Sequence, residues 1–206
     1  MERNNERLIF FSDAVIAVAV TLLVLDIRLP VEHAGGLSNA ELWAAVVETL
    51  PRIYAYALSF LVVSLFWNSH HQKFNLIPRV NGIITALNVA FLLSIGLVPF
   101  VTSVIAENGD TVATAMYAAL MTALGATLMA IWAYAAATGR VRDDVDTHRR
   151  RRIFWLSVGT FVVFLVSIPL AFVNADAAKY FWLLLIPLSL ARYATHSRDK
   201  TVEESE

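Results

Sequence analysis

The first hydrophobic run of the chain lies between Asp13 and Asp26 and contains no charged residue, glycine or proline. At about 1.5 Å per residue, a helix through this run rises about 18 Å, and a helix from Leu8 to Leu29 rises about 33 Å. The longer distance matches the hydrocarbon core of a bilayer, which is roughly 30 Å thick. The pattern therefore predicts a transmembrane helix over 8–29 that carries a carboxylate near each end.

Positions along this first helix divide between two faces. At about 100° per residue, Leu22 and Leu25 stay within about 40° of Val18, which predicts a narrow aliphatic seam. Asp13 points about 140° away from the seam, and Thr21 lies about 60° to its side. An unpaired carboxylate inside a bilayer costs several kcal/mol, so Asp13 is expected to have a partner or a water-filled site.

The remaining apolar segments predict helices over 42–68, 82–106, 111–138, 153–173 and 177–193. The expected fold is an all-α polytopic membrane protein with six transmembrane helices, organised as one domain over 1–206 with a disordered tail over 195–206. A composition of 58% hydrophobic and 16% charged residues excludes an ordinary soluble globular protein. The chain has no cysteine, so disulfides and thiolate metal sites are excluded.

Lysines and arginines are divided unequally between the two sides of the predicted membrane. All but three of the 16, the exceptions being Arg28, Arg52 and Lys179, fall on the side that holds both termini. Because cytoplasmic loops carry an excess of these residues, both termini are expected to be cytoplasmic, with the protein in the inner (plasma) membrane. The opposite side is acidic and includes Asp26, whose carboxylate would attract cations to the outer end of helix one.

A polar cluster is predicted at the level where helix one leaves the cytoplasm and helix two returns to it. Its members are Arg7, Ser12, Asp13, Trp67, His70 and His71. The cluster is interpreted either as a network that locks two helix ends together or as a proton relay, since histidine titrates near neutrality and intramembrane acids often mark ion paths. Adjacent histidines point to different faces of a helix, so no metal site is expected.

Three motifs in the first two helices carry a resemblance. Arg7 precedes Phe-Ser-Asp at 11–13, the seam ends in Thr-Leu-Leu-Val-Leu-Asp at 21–26, and helix two ends in Trp-Asn-Ser-His-His at 67–71. Together they resemble the prokaryotic members of the transmembrane protein 175 family of potassium channels. The matching structural signature consists of Arg7, Phe11, Ser12, Asp13, Trp67, His70 and His71.

The resemblance implies a homotetramer in which helix one of each six-helix subunit lines a central pore. Val18 would form the constriction, Leu22 and Leu25 further layers, and Thr21 a hydroxyl beside the path. The implied function is a leak-type, potassium-permeable cation channel in contact with membrane lipid and monovalent cations, in which aliphatic rings rather than a carbonyl filter set selectivity. No enzymatic activity, cofactor, metal or nucleic-acid partner is expected.

Two other functions remain open from the residues alone. A proton-coupled transporter would use Asp13, His70 and His71, and flux of an organic solute driven by a proton gradient would identify it. An intramembrane enzyme would use the two histidines and an acid, and metal in the purified protein would favour it.

Overall fold

The computed structural model describes residues 2–29 and 37–185, and every regular element in that part of the chain is helical. The helices are α1 (Glu2–Leu22), α2 (Asn39–Asn75), α3 (Gly82–Gly96), α4 (Val98–Glu107), α5 (Thr111–Ala137), α6 (Thr147–Val173) and α7 (Ala175–Phe181). One 3₁₀ turn, Leu23–Asp26, continues α1, and another, Trp182–Leu184, follows α7. The predicted all-α membrane fold is confirmed.

Five segments of the described chain are long and apolar enough to cross a bilayer, namely Asn5–Asp26, Asn39–Asn75, Gly82–Glu107, Thr111–Ala137 and Thr147–Val173. The third of these contains both α3 and α4, which meet at Leu97 just before Pro99. Proline has no N–H to continue the backbone ladder, so the helix breaks there and restarts. Of the sixth predicted helix, the part beyond residue 185 lies outside the described residues, as does the predicted tail over 195–206.

Several helix boundaries differ from the sequence expectation, and three of the differences have a local explanation or bear on the site. The α-helical part of the first span ends at Leu22, because its last turn before Ile27 is a 3₁₀ turn. The second helix continues to Asn75, so the polar segment 67–74 is helical. The fifth span begins at Thr147 rather than at residue 153, because the Asp146 carboxylate accepts a hydrogen bond from the Arg149 backbone N–H at 2.7 Å and caps the helix there.

The helices pack unequally. α5 and α6 form the most extensive pair of the described elements, and at Gly125 a Cβ atom would lie 3.2 Å from the Cα of Phe161. Small residues permit this close approach, which matters in lipid because van der Waals contact drives much of helix association. The first span is at the opposite extreme: only 22% of its apolar window is buried, against 44% for the span formed by α5. α1 therefore lies at the edge of the subunit, against α2 and α3.

Candidate functional site

α1 presents one face to the subunit and another away from it. Ser12, Ile16, Ala19 and Leu23 are buried and recur at helical spacing on the inner face. The predicted seam lies outside: the exposed fractions are 58% for Val18, 45% for Leu22 and 60% for Leu25. The described part of one subunit thus leaves the seam uncovered.

The 3₁₀ turn keeps the seam in line. Residues three apart eclipse one another in a 3₁₀-helix, so Leu25 follows Leu22 on the same side even though the α-helix has ended. The exposed residues Val18, Leu22 and Leu25 are termed the α1 seam. Phe11, two turns before Val18, is exposed as well and extends the same side towards the start of the helix.

Thr21 is exposed beside the α1 seam, and its hydroxyl is already oriented. It donates a hydrogen bond to the Val18 carbonyl oxygen at 2.8 Å. Since the hydroxyl hydrogen is used, the side chain offers its oxygen lone pairs to anything that approaches. An oxygen of this kind can replace a water molecule next to a cation.

A buried chain of hydrogen bonds ties α1 to α2 and α3. The Asn88 amide donates to the Ser12 hydroxyl oxygen at 2.9 Å, and Ser12 in turn donates to the Leu8 carbonyl oxygen at 2.8 Å. The other end of Asn88, its Oδ1, pairs with His70 Nε2 at 2.7 Å. Because an amide oxygen only accepts, Nε2 of His70 carries the proton. Ser12, His70 and Asn88 each have an exposed fraction of 0%.

Asp13 is bonded to Trp67, a residue of the predicted cluster. Its Oδ1 accepts a hydrogen bond from the Trp67 indole N–H at 2.8 Å, which makes a second tie between α1 and α2. Of the two histidines predicted in the same network, His71 lies one turn beyond Trp67 on the same side of α2, and within the described residues neither histidine bonds directly to Asp13. Arg7 is exposed and has no polar partner within the described residues.

The two histidines occupy apolar surroundings. His70 stacks between Phe74 and Phe91, with ring centroids 4.3 and 5.2 Å away, and His71 lies against Trp67 at 5.8 Å. In the described part of the chain, the buried Nδ1 atom of each histidine has no hydrogen-bond partner. Within the described residues, therefore, no hydrogen bond joins Asp13 directly to either histidine.

The outer end of the α1 seam is held by a separate contact. The Arg52 guanidinium on α2 donates to the Arg28 carbonyl oxygen at 3.1 Å, just after the 3₁₀ turn. Asp26 and Glu107 line a cleft beside Arg52, and Asp26 is exposed. Within residues 2–29 and 37–185, no three histidine or acidic side chains converge to hold a metal ion.

Asn88 is the residue that sequence reasoning missed. It is the one amide side chain of α3, a helix whose other polar side chains, Thr85 and Ser94, are hydroxyls. A lone amide side chain in a lipid-spanning helix must find a partner, and this general rule was the available signal. The rule does not say which helix supplies the partner, so the bonds of Asn88 to Ser12 and His70 are evident only in the structure.

Comparison with known proteins gives a consistent result. A family model described as the endosomal/lysosomal potassium channel TMEM175 matches residues 7–99. A protein of Streptomyces collinus named as a potassium channel is 35% identical, the match covering 80% of this chain and 81% of that protein. A second, from Chamaesiphon minutus, is 30% identical over 82% of this chain and 95% of that protein.

Two solved structures have the same fold. The crystal structure of a lysosomal potassium-selective channel TMEM175 homolog from Chamaesiphon minutus superposes with a TM-score of 0.80 at 26% identity, covering 92% of this chain and 98% of that one. A second TMEM175 potassium channel, crystallised as a variant with a nanobody fusion, gives a TM-score of 0.63 at 16% identity and covers 93% of both chains. At that identity the second likeness shows the fold alone.

The buried bonds of Asn88 provide a test of how α1 is held. Replacing Asn88 by Leu leaves the Ser12 and His70 groups without their partner, and an unsatisfied buried polar group costs about 1–3 kcal/mol. We expect the melting temperature in detergent to fall by several degrees. Ser94→Ala on the same helix is the control, because Ser94 bonds only to the Ala90 carbonyl oxygen at 3.0 Å. Equal shifts for Asn88→Leu and Ser94→Ala would contradict a tie between helices.

Proposed function

The chain belongs to the TMEM175 family of potassium channels, and on that premise we propose that it forms a potassium-permeable pore lined by the α1 seam. It is a multi-pass membrane protein and an ion channel rather than an enzyme, as its named relatives are. The observation that carries the proposal is the exposed position of Val18, Leu22 and Leu25 on the least buried span of the subunit. An edge helix with its seam outward can line a path only if other copies complete the wall.

The α1 seam supplies the conduction path in this proposal. Val18 has the smallest side chain of the three and lies one turn before Leu22 in α1. A ring of Val18 side chains would form the constriction, and an apolar ring gates by excluding water as well as by blocking ions. Leu22 and Leu25 continue the apolar wall outward, with the Thr21 oxygen beside it.

Selectivity would then follow from the cost of dehydration. An aliphatic ring offers no oxygen to replace lost hydration water, so an ion passes more easily if it sheds water cheaply. Potassium holds its water less tightly than sodium, and a modest preference for potassium results. The Thr21 hydroxyl oxygen offsets part of the cost, and the Asp26 carboxylate raises the local concentration of cations at the outer end.

The proposal also includes the number of subunits in the channel and the side of the membrane that holds the termini. One seam per chain requires several copies around one axis, and cyclic symmetry is the usual arrangement of identical subunits. We take the number as four, with potassium and membrane lipid as the other partners. Both termini are placed in the cytoplasm of a cell with the protein in its inner (plasma) membrane, because lysine and arginine collect on that side.

The proton-coupled transporter receives less support. In the described residues, Asp13 is bound by an indole N–H, which donates but cannot pass a proton on. His70 is enclosed by two phenylalanine rings and bonded to an amide. The contacts suit a fixed scaffold that sets the rotation of α1.

The subunit number is tested by chemical cross-linking. We expect detergent-purified protein, treated with increasing amounts of an amine-reactive cross-linker, to give a ladder of bands that ends at the tetramer. The physical reason is that each chain contributes one exposed seam, so fewer than four copies would leave a gap in the wall of the pore. Mass measurement by light scattering serves as the independent control. A ladder that ends at the dimer, with a matching mass, contradicts the assembly.

The pore itself is tested at Val18. Val18→Asn supplies polar groups that replace lost hydration, so we expect severalfold larger potassium current and a lower potassium-to-sodium ratio in planar bilayers. Val18→Phe should close the path while the protein still folds. If Val18 were packed core instead, its replacement by Asn would cost about 1–3 kcal/mol of stability and add no current.

A matched control exists on another helix. Val89 on α3 has an exposed fraction of 54%, close to the 58% of Val18, but lies away from the α1 seam. Val89→Asn should leave both unitary current and ion selectivity unchanged. If Val18→Asn and Val89→Asn behave alike in conductance and melting temperature, the α1 seam does not line a pore.

A further inference from the structure

The beginning of α6 exposes basic and aromatic side chains on one face. His148, Arg151, Arg152 and Trp155 are spaced i, i+3, i+4 and i+7, which places them within about 100° of one another around the helix. His148, Arg151 and Trp155 are exposed and Arg152 is half-buried. Charge and an amphipathic ring therefore lie together at the membrane end of a span.

The two arginines of the preceding loop and Arg150 in the first turn of α6 are engaged within the protein. Arg140 donates to the Arg79 carbonyl oxygen at 3.3 Å. Arg142 pairs with the Asp144 carboxylate at 2.6 Å, and Arg150 donates to the Val145 and Arg142 carbonyl oxygens at 2.8 and 2.9 Å. These three guanidinium groups shape the loop and are not available to a ligand.

Arg151 and Arg152 differ from the loop arginines. Within the described residues, neither guanidinium has a hydrogen-bond or ion-pair partner. Among the acids of the preceding loop, Asp144 is paired with Arg142 and Asp146 caps the backbone of α6, and within the described residues Asp143 forms no ion pair with either arginine. The helix that carries them is anchored, since the Trp132 indole on α5 donates to the Arg150 carbonyl oxygen at 3.1 Å. Two uncompensated positive charges are thus held at a fixed place.

The same face of α6 becomes apolar deeper in the membrane. Val162 and Val166 follow Trp155 on this side and are exposed. The rise from Trp155 to Val166 is about 16 Å, close to half of the roughly 30 Å hydrocarbon core. Read along the helix, the order is cationic, then aromatic, then aliphatic, which matches the order of phosphate, glycerol and acyl chain in one leaflet.

We propose that the α6 lipid face, defined as Arg151, Arg152, Trp155, Val162 and Val166, binds an anionic phospholipid. The two guanidinium groups hold the phosphate, for which their planar forks are suited, and the indole ring lies at the glycerol level. The valines contact an acyl chain. A lipid of net negative charge is preferred, because a zwitterionic headgroup brings its own cation to the phosphate. The inference depends on the membrane position of α6 and not on the α1 seam.

The experiment compares lipids on the purified full-length protein. Phosphatidylglycerol is titrated into protein in detergent, with phosphatidylcholine as the neutral reference, and bound lipid is counted by native mass spectrometry while melting temperature is recorded. Each arginine near a membrane surface contributes roughly fivefold to the attraction of anionic lipid, so the double variant R151Q/R152Q should bind phosphatidylglycerol roughly 25-fold more weakly. Its melting temperature in phosphatidylcholine should equal that of the wild type.

Two control experiments distinguish a lipid site from a diffuse charge effect and from a site for a free anion. Arg79→Gln removes an exposed charge from the α2–α3 connection and should leave phosphatidylglycerol binding unchanged. Equal loss in Arg79→Gln would show a diffuse charge effect and overturn the site. Glycerol phosphate at matched concentration should not raise the melting temperature, and an equal rise would assign the face to a free anion instead of a lipid. If R151Q/R152Q fails to fold, Trp155→Ala should still reduce lipid count, and an unchanged count overturns the proposal.

Discussion

The hydrogen bonds of Asn88 set the rotation of α1, and most other features of the subunit depend on that rotation. Inside a bilayer no water is available to satisfy a buried amide, so Asn88 must bond to Ser12 on one side and His70 on the other. The bond to Ser12 is made only when the Ser12 side of α1 faces α3. The opposite side of the same helix, with Val18 on it, is then turned out of the subunit.

This arrangement separates two tasks that the first helix performs. One side carries the polar groups and binds α2 and α3, with the Trp67 to Asp13 bond as a second fixed point. The other side is aliphatic and has no partner within the described subunit. A rotation of α1 by one residue, about 100°, that buried Val18 would also take the Ser12 hydroxyl away from Asn88. The hydrogen-bond network and the exposure of the α1 seam therefore both follow from one orientation of α1 in the subunit.

The membrane spans and the α1 seam were more predictable from the sequence than the individual side-chain contacts. The spans follow from hydropathy, because a lipid-spanning helix needs about 20 apolar residues whatever it packs against. The α1 seam followed from helical periodicity, and the 3₁₀ turn did not disturb it since Leu25 stays in line with Leu22. The partner of Asp13 was not predictable, because depth alone placed Trp67, His70 and His71 at the same level. Their positions around and along α2 decide which one meets the acid, since His71 shares the Trp67 side one turn further on.

The position of the α1 seam in the pore is tested most directly by the reaction of single cysteines with silver ions. These ions are thiol-reactive and monovalent like potassium. The chain has no cysteine of its own, so each variant carries one thiol. If the α1 seam lines a water-filled path, silver added during bilayer recording blocks the current of Leu22→Cys and Leu25→Cys channels. Ile16→Cys, on the buried face, and Val89→Cys, on α3, stay unaffected. Block at Ile16 or Val89 with none at Leu22 and Leu25 would contradict the account.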